Sequence, residues 1–142
     1  MIREFKTDDL DAIMEIWLKT NVEAHYFIAG SYWLKNYDSV KSMLPDAEIF
    51  VYEGNGTIQG FVGLMGNYIA GIFVRQECWS HGIGKALLNH VKNRYDELSL
   101  HVYQKNIRAV RFYKRESFDV FKKQVDEGTG ETEIVMNWRN QK

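Results

Sequence analysis

A chain of 142 residues that is 45% hydrophobic and 14% aromatic holds enough apolar material for one domain with its own core, residues 1–142, and is too short for two. Its formal net charge of -1 provides no basic field for nucleic acid or an anionic membrane surface, and its single cysteine, Cys78, excludes an internal disulfide. No apolar run approaches the ~18 residues of a membrane span and no charged-then-apolar leader opens the chain, so a cytoplasmic protein, monomeric or homodimeric, is expected.

In residues 1–6, Ile2, Glu4 and Lys6 alternate with Arg3 and Phe5, the pattern of an edge strand. Thr7 or Asp8 then caps a helix over 8–20, whose Leu10, Ile13, Met14, Trp17 and Leu18 recur at three- and four-residue spacing as one core-facing stripe. Residues 21–44 form a partly helical, aromatic-rich segment with His25, Tyr26, Phe27, Tyr32, Trp33 and Tyr37, more rings than a cover over the core needs. The lone proline, Pro45, falls where a helix ends. Strands over 47–53 and 57–65 are joined by the hairpin turn Gly54, Asn55 and Gly56. A third strand over 67–74 contains Gly71, which signals a bulge or a close backbone approach.

That strand runs into the most informative stretch, residues 73–88, FVRQECWSHGIGKALL. A helix follows the turn, because Ile83, Leu87 and Val91 recur four apart, with Ala86 and His90 extending the face. A strand passing through a glycine turn into a helix aims the first orphan amides, and the positive end of the helix dipole, at whatever docks there; the stretch reads as an anion-binding turn, against the alternative of a glycine-rich turn with no ligand. Spacing removes two ligands. A dinucleotide fingerprint needs a third glycine where Leu87 stands, and a nucleoside-triphosphate loop needs a hydroxyl where Ala86 stands. After a strand over 98–103, residues 106–118 read NIRAVRFYKRESF. On a helix Asn106, Ala109, Val110 and Tyr113 share one stripe, with an amide at its start and a phenol near its end. Residues 118–124 and 132–138 alternate as two closing antiparallel strands around the acidic turn 126–131, and the chain from 139 onward reads as a frayed tail.

Together these two segments resemble the signatures of the GNAT superfamily of N-acetyltransferases: an apolar strand, Pro, then Arg or Gln before x-x-Gly-x-Gly or Ala, and later Asn-x-x-Ala-x-x-Phe-Tyr-x-x-x-Gly-Phe. Four positions depart from the pattern, with Gln76 for the proline, Trp79 for Arg or Gln, Ser80 for a glycine that often follows it, and Ser117 for the later glycine. The resemblance implies an α+β fold in three layers: a central mixed, mostly antiparallel sheet of about seven strands with a splayed parallel pair, flanked by about four helices. It implies acetyl-CoA as co-substrate and no metal. The positions matching the cofactor signature are Phe73, Val74, Trp79, Ser80, His81, Gly82, Ile83, Gly84, Lys85, Asn106 and Tyr113, with Phe73 and Val74 as the backbone partners of the pantetheine arm.

Acetyl transfer to an amine sets three demands. The amine, with a pKa of about 10.4, must lose a proton; an oxyanion must be stabilised; and the departing thiolate must be quenched. A tyrosine, with a pKa of about 10, stays protonated until a thiolate needs its proton, which fits Tyr113. Backbone amides near Phe73 and Val74 are the expected oxyanion donors. The base stays open among Tyr68, which begins the splayed strand, His25, Glu23 and Glu77. His101, in a strand, reads as structural, and His81 lies in the anion turn. Cys78 has no second thiol, and the four histidines are scattered, so no metal spacing exists and direct attack in a ternary complex is favoured. Two readings compete with the enzyme: a non-catalytic acetyl-CoA-binding sensor and a protein-interaction module of the same fold. The acceptor amine is a protein lysine or N-terminus, or a small molecule. Resemblance of 23–28 (EAHYFI) and 102–106 (VYQKN) to small bacterial members leans it toward protein lysine.

Overall fold

The computed structural model describes residues 1–141, in which seven strands and four α-helices follow the order β1 (Ile2–Glu4), α1 (Leu10–Ala24), α2 (Gly30–Met43), β2 (Glu48–Gly54), β3 (Thr57–Met65), β4 (Tyr68–Val74), α3 (Ile83–Lys92), β5 (Glu97–Tyr103), α4 (Ile107–Arg115), β6 (Asp119–Val125) and β7 (Thr132–Arg139). The strands form one mixed sheet in the order β1-β2-β3-β4-β5-β7-β6, the α+β architecture expected. Only the β4–β5 pair is parallel, as it must be when α3 crosses over between them. The β2–β3 hairpin closes through Asn55 and Gly56, with φ of 56° and 77°, the positive-φ pair that matches the twist of the flanking strands.

Alternation in the strands divides the core between the two faces. Phe50, Val62, Leu64, Leu98, Leu100, Ile134 and Met136 pack under Ile83, Leu87, Leu88 and Val91 of α3 and Tyr113 of α4. Ile49, Val51, Ile58 and Phe61 point the other way, onto Ile13, Met14, Ile16 and Trp17 of α1 and Trp33 of α2. A strand covered on both sides loses the polar–apolar alternation, and β3 is buried from Gly60 to Leu64.

The feature that positions the site is how little of the parallel pair is paired. Only Tyr68 with Ser99 and Ile69 with Leu100 are in register, and beyond them β4 and β5 diverge into an open wedge. A bulge sits beside the point of divergence: Gly63 pairs with Gly71 but Leu64 pairs with Ile69, so Ala70 is the extra residue, next to the Gly71 where the bulge was expected. Gly71 has a packing reason of its own, since an added Cβ would collide with the Phe73 ring.

Two expectations are corrected. The helix start is tied by neither Thr7 nor Asp8. A 3-10 turn over Thr7–Asp9 precedes α1, and the Asp9 carboxylate accepts the Lys6 amide at 2.8 Å while the Arg3 guanidinium donates to both its oxygens at 2.8 and 3.0 Å. Asp9 is buried, so the group that caps is the one β1 neutralises, and the Arg3 hydrogen bonds hold its carboxyl below the ordinary value. The frayed tail is also wrong at its start. Arg139 pairs with Glu97 and lies 2.7 Å from its carboxylate, and the Asn140 amide donates to the Asp96 carbonyl, because β7 is sandwiched between β5 and β6 and its end inherits partners.

Candidate active site

The turn after β4 is built from unusual backbone. A 3-10 turn over Gln76–Cys78 leads to an extended Trp79, then Ser80 at φ 66° and Gly82 at φ 78°, the residue before α3. The first intrahelical bond is Ala86 N–H to the Gly82 carbonyl, which leaves the amides of Ile83, Gly84 and Lys85 without helical acceptors. Ile83 spends its side chain in the core, whereas His81 and Lys85 are exposed beside the turn. At Gly84 an added Cβ would make only ordinary contacts, 3.6 Å to Phe112 and 3.9 Å to Val74. The protein's own packing therefore does not demand glycine there.

Trp79 holds this turn to two neighbours. Its indole N–H donates to the Val74 carbonyl at 2.9 Å, and the Arg108 guanidinium of α4 lies 3.6 Å from the centre of its ring. The Val74 carbonyl is reachable because of strand alternation. Arg75 N–H donates to Gln59 O, so in the same register Phe73 bonds to Phe61, while the polar groups of Ile72 and Val74 face the wedge. Of the two residues expected to face the wedge with their backbone, Phe73 is turned to β3, and Val74 is turned the other way with its carbonyl taken by Trp79. The Phe73 ring instead stacks on Phe61 at 4.9 Å.

The second segment bridges the faces at the far end of β5. Asn106 caps α4, its side-chain oxygen accepting from Ala109 N–H at 3.3 Å, and its amide nitrogen lies 3.2 Å from His25 Nε2 at the end of α1. His25 stacks on Trp33 at 5.3 Å and meets Tyr103 and Phe27 edge-on. Burial pushes its imidazole down to about 4, partly offset by the nearby Asn21 carbonyl.

Tyr113 is 7% exposed and packed edge-on between Phe112 and Phe118 at 5.2 and 5.6 Å, and its hydroxyl is not among the buried polar atoms left without a partner. Burial raises its pKa above the ordinary phenol value, and nearby Tyr68 adds to the shift. Tyr68 is raised as well, by burial and then by the charges of Glu133 and Asp126, and its ring lies 5.2 Å from that of His101. Tyr68 stands where the parallel pair is still in register, Tyr113 packs into the core on the α3 side of the sheet, and His25 belongs to the Asn106 contact. Glu23 and Glu77 lie elsewhere, lining a cleft of about 290 Å³ with Ile16, Lys19, Thr20, Arg75 and Gln76. That cleft is at the opposite end of β4 from Tyr68, about 20 Å away at the rise of a seven-residue strand.

The model of the acetyltransferase (GNAT) family matches residues 10–118. The chain belongs to that family. The peptidyl-lysine N-acetyltransferase YiaC of Escherichia coli K12 is 36% identical over 140 residues, covering 97% of this chain and 96% of its own. The apo form of YjaB from Escherichia coli superposes with a TM-score of 0.87 at 26% identity, over 99% of this chain and 98% of that one. YncA from Salmonella typhimurium, solved with acetyl-CoA, shares the fold at a TM-score of 0.67 and 16% identity, over 100% and 94%. The two serines that depart from the GNAT glycines keep the backbone those glycines serve: Ser80 and Ser117 have φ of 66° and 74°. The substitutions therefore carry strain in this GNAT chain without changing its path.

Some of the site escaped the sequence reading. The Trp79–Val74 and Trp79–Arg108 contacts, and a polar wall at the wedge, had no local pattern. In that wall Tyr103 O–H donates to Asp126, Gln124 donates to Glu133 at 2.7 Å, and His101 Nδ1 lies 3.3 Å from Glu133. One signal was available: Ser99, His101 and Tyr103 alternate in β5 with the buried Leu98, Leu100 and Val102, so they share the opposite face.

Proposed function

We propose that this enzyme moves the acetyl group of acetyl-CoA to the side-chain amine of a protein lysine by direct attack, with Tyr113 protonating the thiolate. The observation that carries this is Tyr113 itself: a phenol on α4 whose ring is packed in the core and whose surroundings favour its protonated form. A proton donor whose pKa lies above that of a thiol releases its proton only when the thiolate forms. The free amides of Ile83, Gly84 and Lys85 suit a pyrophosphate, aided by the helix dipole and by His81 and Lys85 at the turn. The outward backbone of Ile72 and the amide of Val74 suit an amide-containing arm. Acetyl-CoA supplies the activated thioester; the polar groups of the chain orient it, exclude water and donate the proton.

The lysine acceptor is supported by the resemblance to YiaC over nearly the whole of both chains. Glu133 beside His101 and Asp126 beside Tyr103 put two carboxylates on one face of β5, and such a face suits an ammonium ion. The test is calorimetric titration with acetyl-CoA of the native protein and a Gly82→Glu, Gly84→Glu double variant, followed by mass spectrometry of lysine peptides incubated with acetyl-CoA. Binding lost in the double variant, with mass gain on lysine, is expected. A native protein that binds no acetyl-CoA, or that acetylates only small amines, overturns the reading.

A further inference from the structure

We infer that His101, oriented by Glu133, is the group that takes the proton from the acceptor amine. The inference rests on the acetyl-transfer reading above and completes it with the base that reading lacks. Leu100 is the last residue of β5 in register with β4, so His101 is the first residue of β5 to border the wedge, and it does so on the face where the ring of Tyr68 meets it at 5.2 Å. Glu133, paired in β7 opposite Tyr103, brings a carboxylate oxygen to 3.3 Å from His101 Nδ1, and Gln124 fixes that oxygen from the other side at 2.7 Å. A carboxylate beside Nδ1 favours the tautomer with its proton there, which leaves the Nε2 lone pair free. With 36% of its side chain exposed, His101 is open to an incoming amine, while its partner Glu133, 15% exposed, is held in the sheet.

The other candidates fail on chemistry. His25 is half-buried and has its Nε2 beside the Asn106 amide. Tyr68 is held protonated, and Glu23 and Glu77 line the distant cleft. The charged or titratable groups facing His101 are Glu133 from β7 and Tyr68 from β4, with Asp126 acting on Tyr68 from the β6–β7 turn. In the step, a lysine ammonium gives one proton to His101 Nε2, and its freed lone pair forms the C–N bond at the thioester carbonyl. The C–S bond then breaks, the sulfur takes the Tyr113 proton, and the second nitrogen proton restores Tyr113. His101 releases its proton to water.

The experiment measures steady-state acetylation of a lysine peptide by His101→Ala, His101→Gln, Glu133→Gln and the His101→Ala, Glu133→Gln double variant, with acetyl-CoA affinity measured for each. The expected result is a fall in kcat of about 100-fold for either His101 variant with acetyl-CoA affinity retained. Added imidazole should restore part of the His101→Ala rate, and the double variant should be no slower than His101→Ala. An acceptor amine of low pKa, already neutral at the assay pH, should be acetylated by His101→Ala at close to the native rate. Native kcat in His101→Ala, or a loss that neither imidazole nor the low-pKa amine recovers, overturns the inference. A native protein that turns over no amine at all overturns the acetyl-transfer reading beneath it.

Discussion

The side-chain amide nitrogen of Asn106 lies 3.2 Å from His25 Nε2, joining the start of α4 to the end of α1 across the open end of the wedge. One carboxamide therefore does two jobs, capping a helix through its oxygen and contacting a half-buried imidazole through its nitrogen.

Removing it tests both. Asn106→Ala loses the cap, worth about 0.5–2 kcal/mol, and leaves His25 with both ring nitrogens unpaired. We expect the melting temperature to fall by roughly 3–8 °C, with weaker acetyl-CoA binding; calorimetric melting of both proteins checks it. An unchanged melting point would mean that water replaces both contacts.

His25 also sets a pH dependence. Its folded pKa of about 4 lies below the ordinary 6.5, so the unfolded chain binds the extra proton between those values and the folded chain does not. Stability from this group is full above pH 6.5 and is lost as pH falls toward 4, with a slope of up to about 1.4 kcal/mol per pH unit. Denaturant melts of the native protein and His25→Gln at pH 7, 6 and 5 should show a shallower decline in the variant. Parallel declines would assign the acid sensitivity to other groups.

How much of this was legible in the sequence depends on distance along the chain. The turn between β4 and α3 and the stripe from Asn106 to Tyr113 are local, carried by spacing within one strand, turn or helix, and both emerged where spacing put them. The cap at Asp9 was not, because the side chain chosen depends on Arg3, whose own partner Glu53 comes from β2. The pairing of Arg139 is hidden for a similar reason. Its partner Glu97 is adjacent only because β7 inserts between β5 and β6, a choice of strand order that no local pattern encodes. His101 and Glu133 become neighbours through that same insertion.

Ser80 and Ser117 should respond oppositely to glycine and to valine. Left-handed backbone costs an L-residue about 1–2 kcal/mol, whereas glycine's added unfolded-state entropy costs about 0.4–1. Ser117→Gly, away from the anion turn, should raise the melting temperature by a few degrees and Ser117→Val should lower it. If glycine lowers it, hydrogen bonding by Ser117 outweighs the strain.

Arg108 over Trp79 ties the anion turn to α4. Such a cation–ring contact, partly desolvated, contributes about 0.5–2 kcal/mol. If the turn must be held to bind acetyl-CoA, Arg108→Ala should weaken its affinity by about 3- to 30-fold and leave kcat at saturation near native. A drop in kcat with unchanged affinity would instead assign Arg108 to the acceptor side.

Tyr113→Phe separates chemistry from packing. Phenylalanine keeps the edge-on contacts with Phe112 and Phe118, and it removes only the hydroxyl, so stability should hold or rise slightly. Acetyl-CoA affinity should also hold, since the turn and the wedge are untouched. The kcat should fall by about 100-fold, the scale of one general acid. The raised pKa adds a second readout. The native enzyme should show no alkaline loss of rate from Tyr113 through pH 10, and stability from this group, full below the ordinary phenol value, should be lost only above it. A Tyr113→Phe protein with native kcat would assign the thiolate's proton to solvent or to Tyr68.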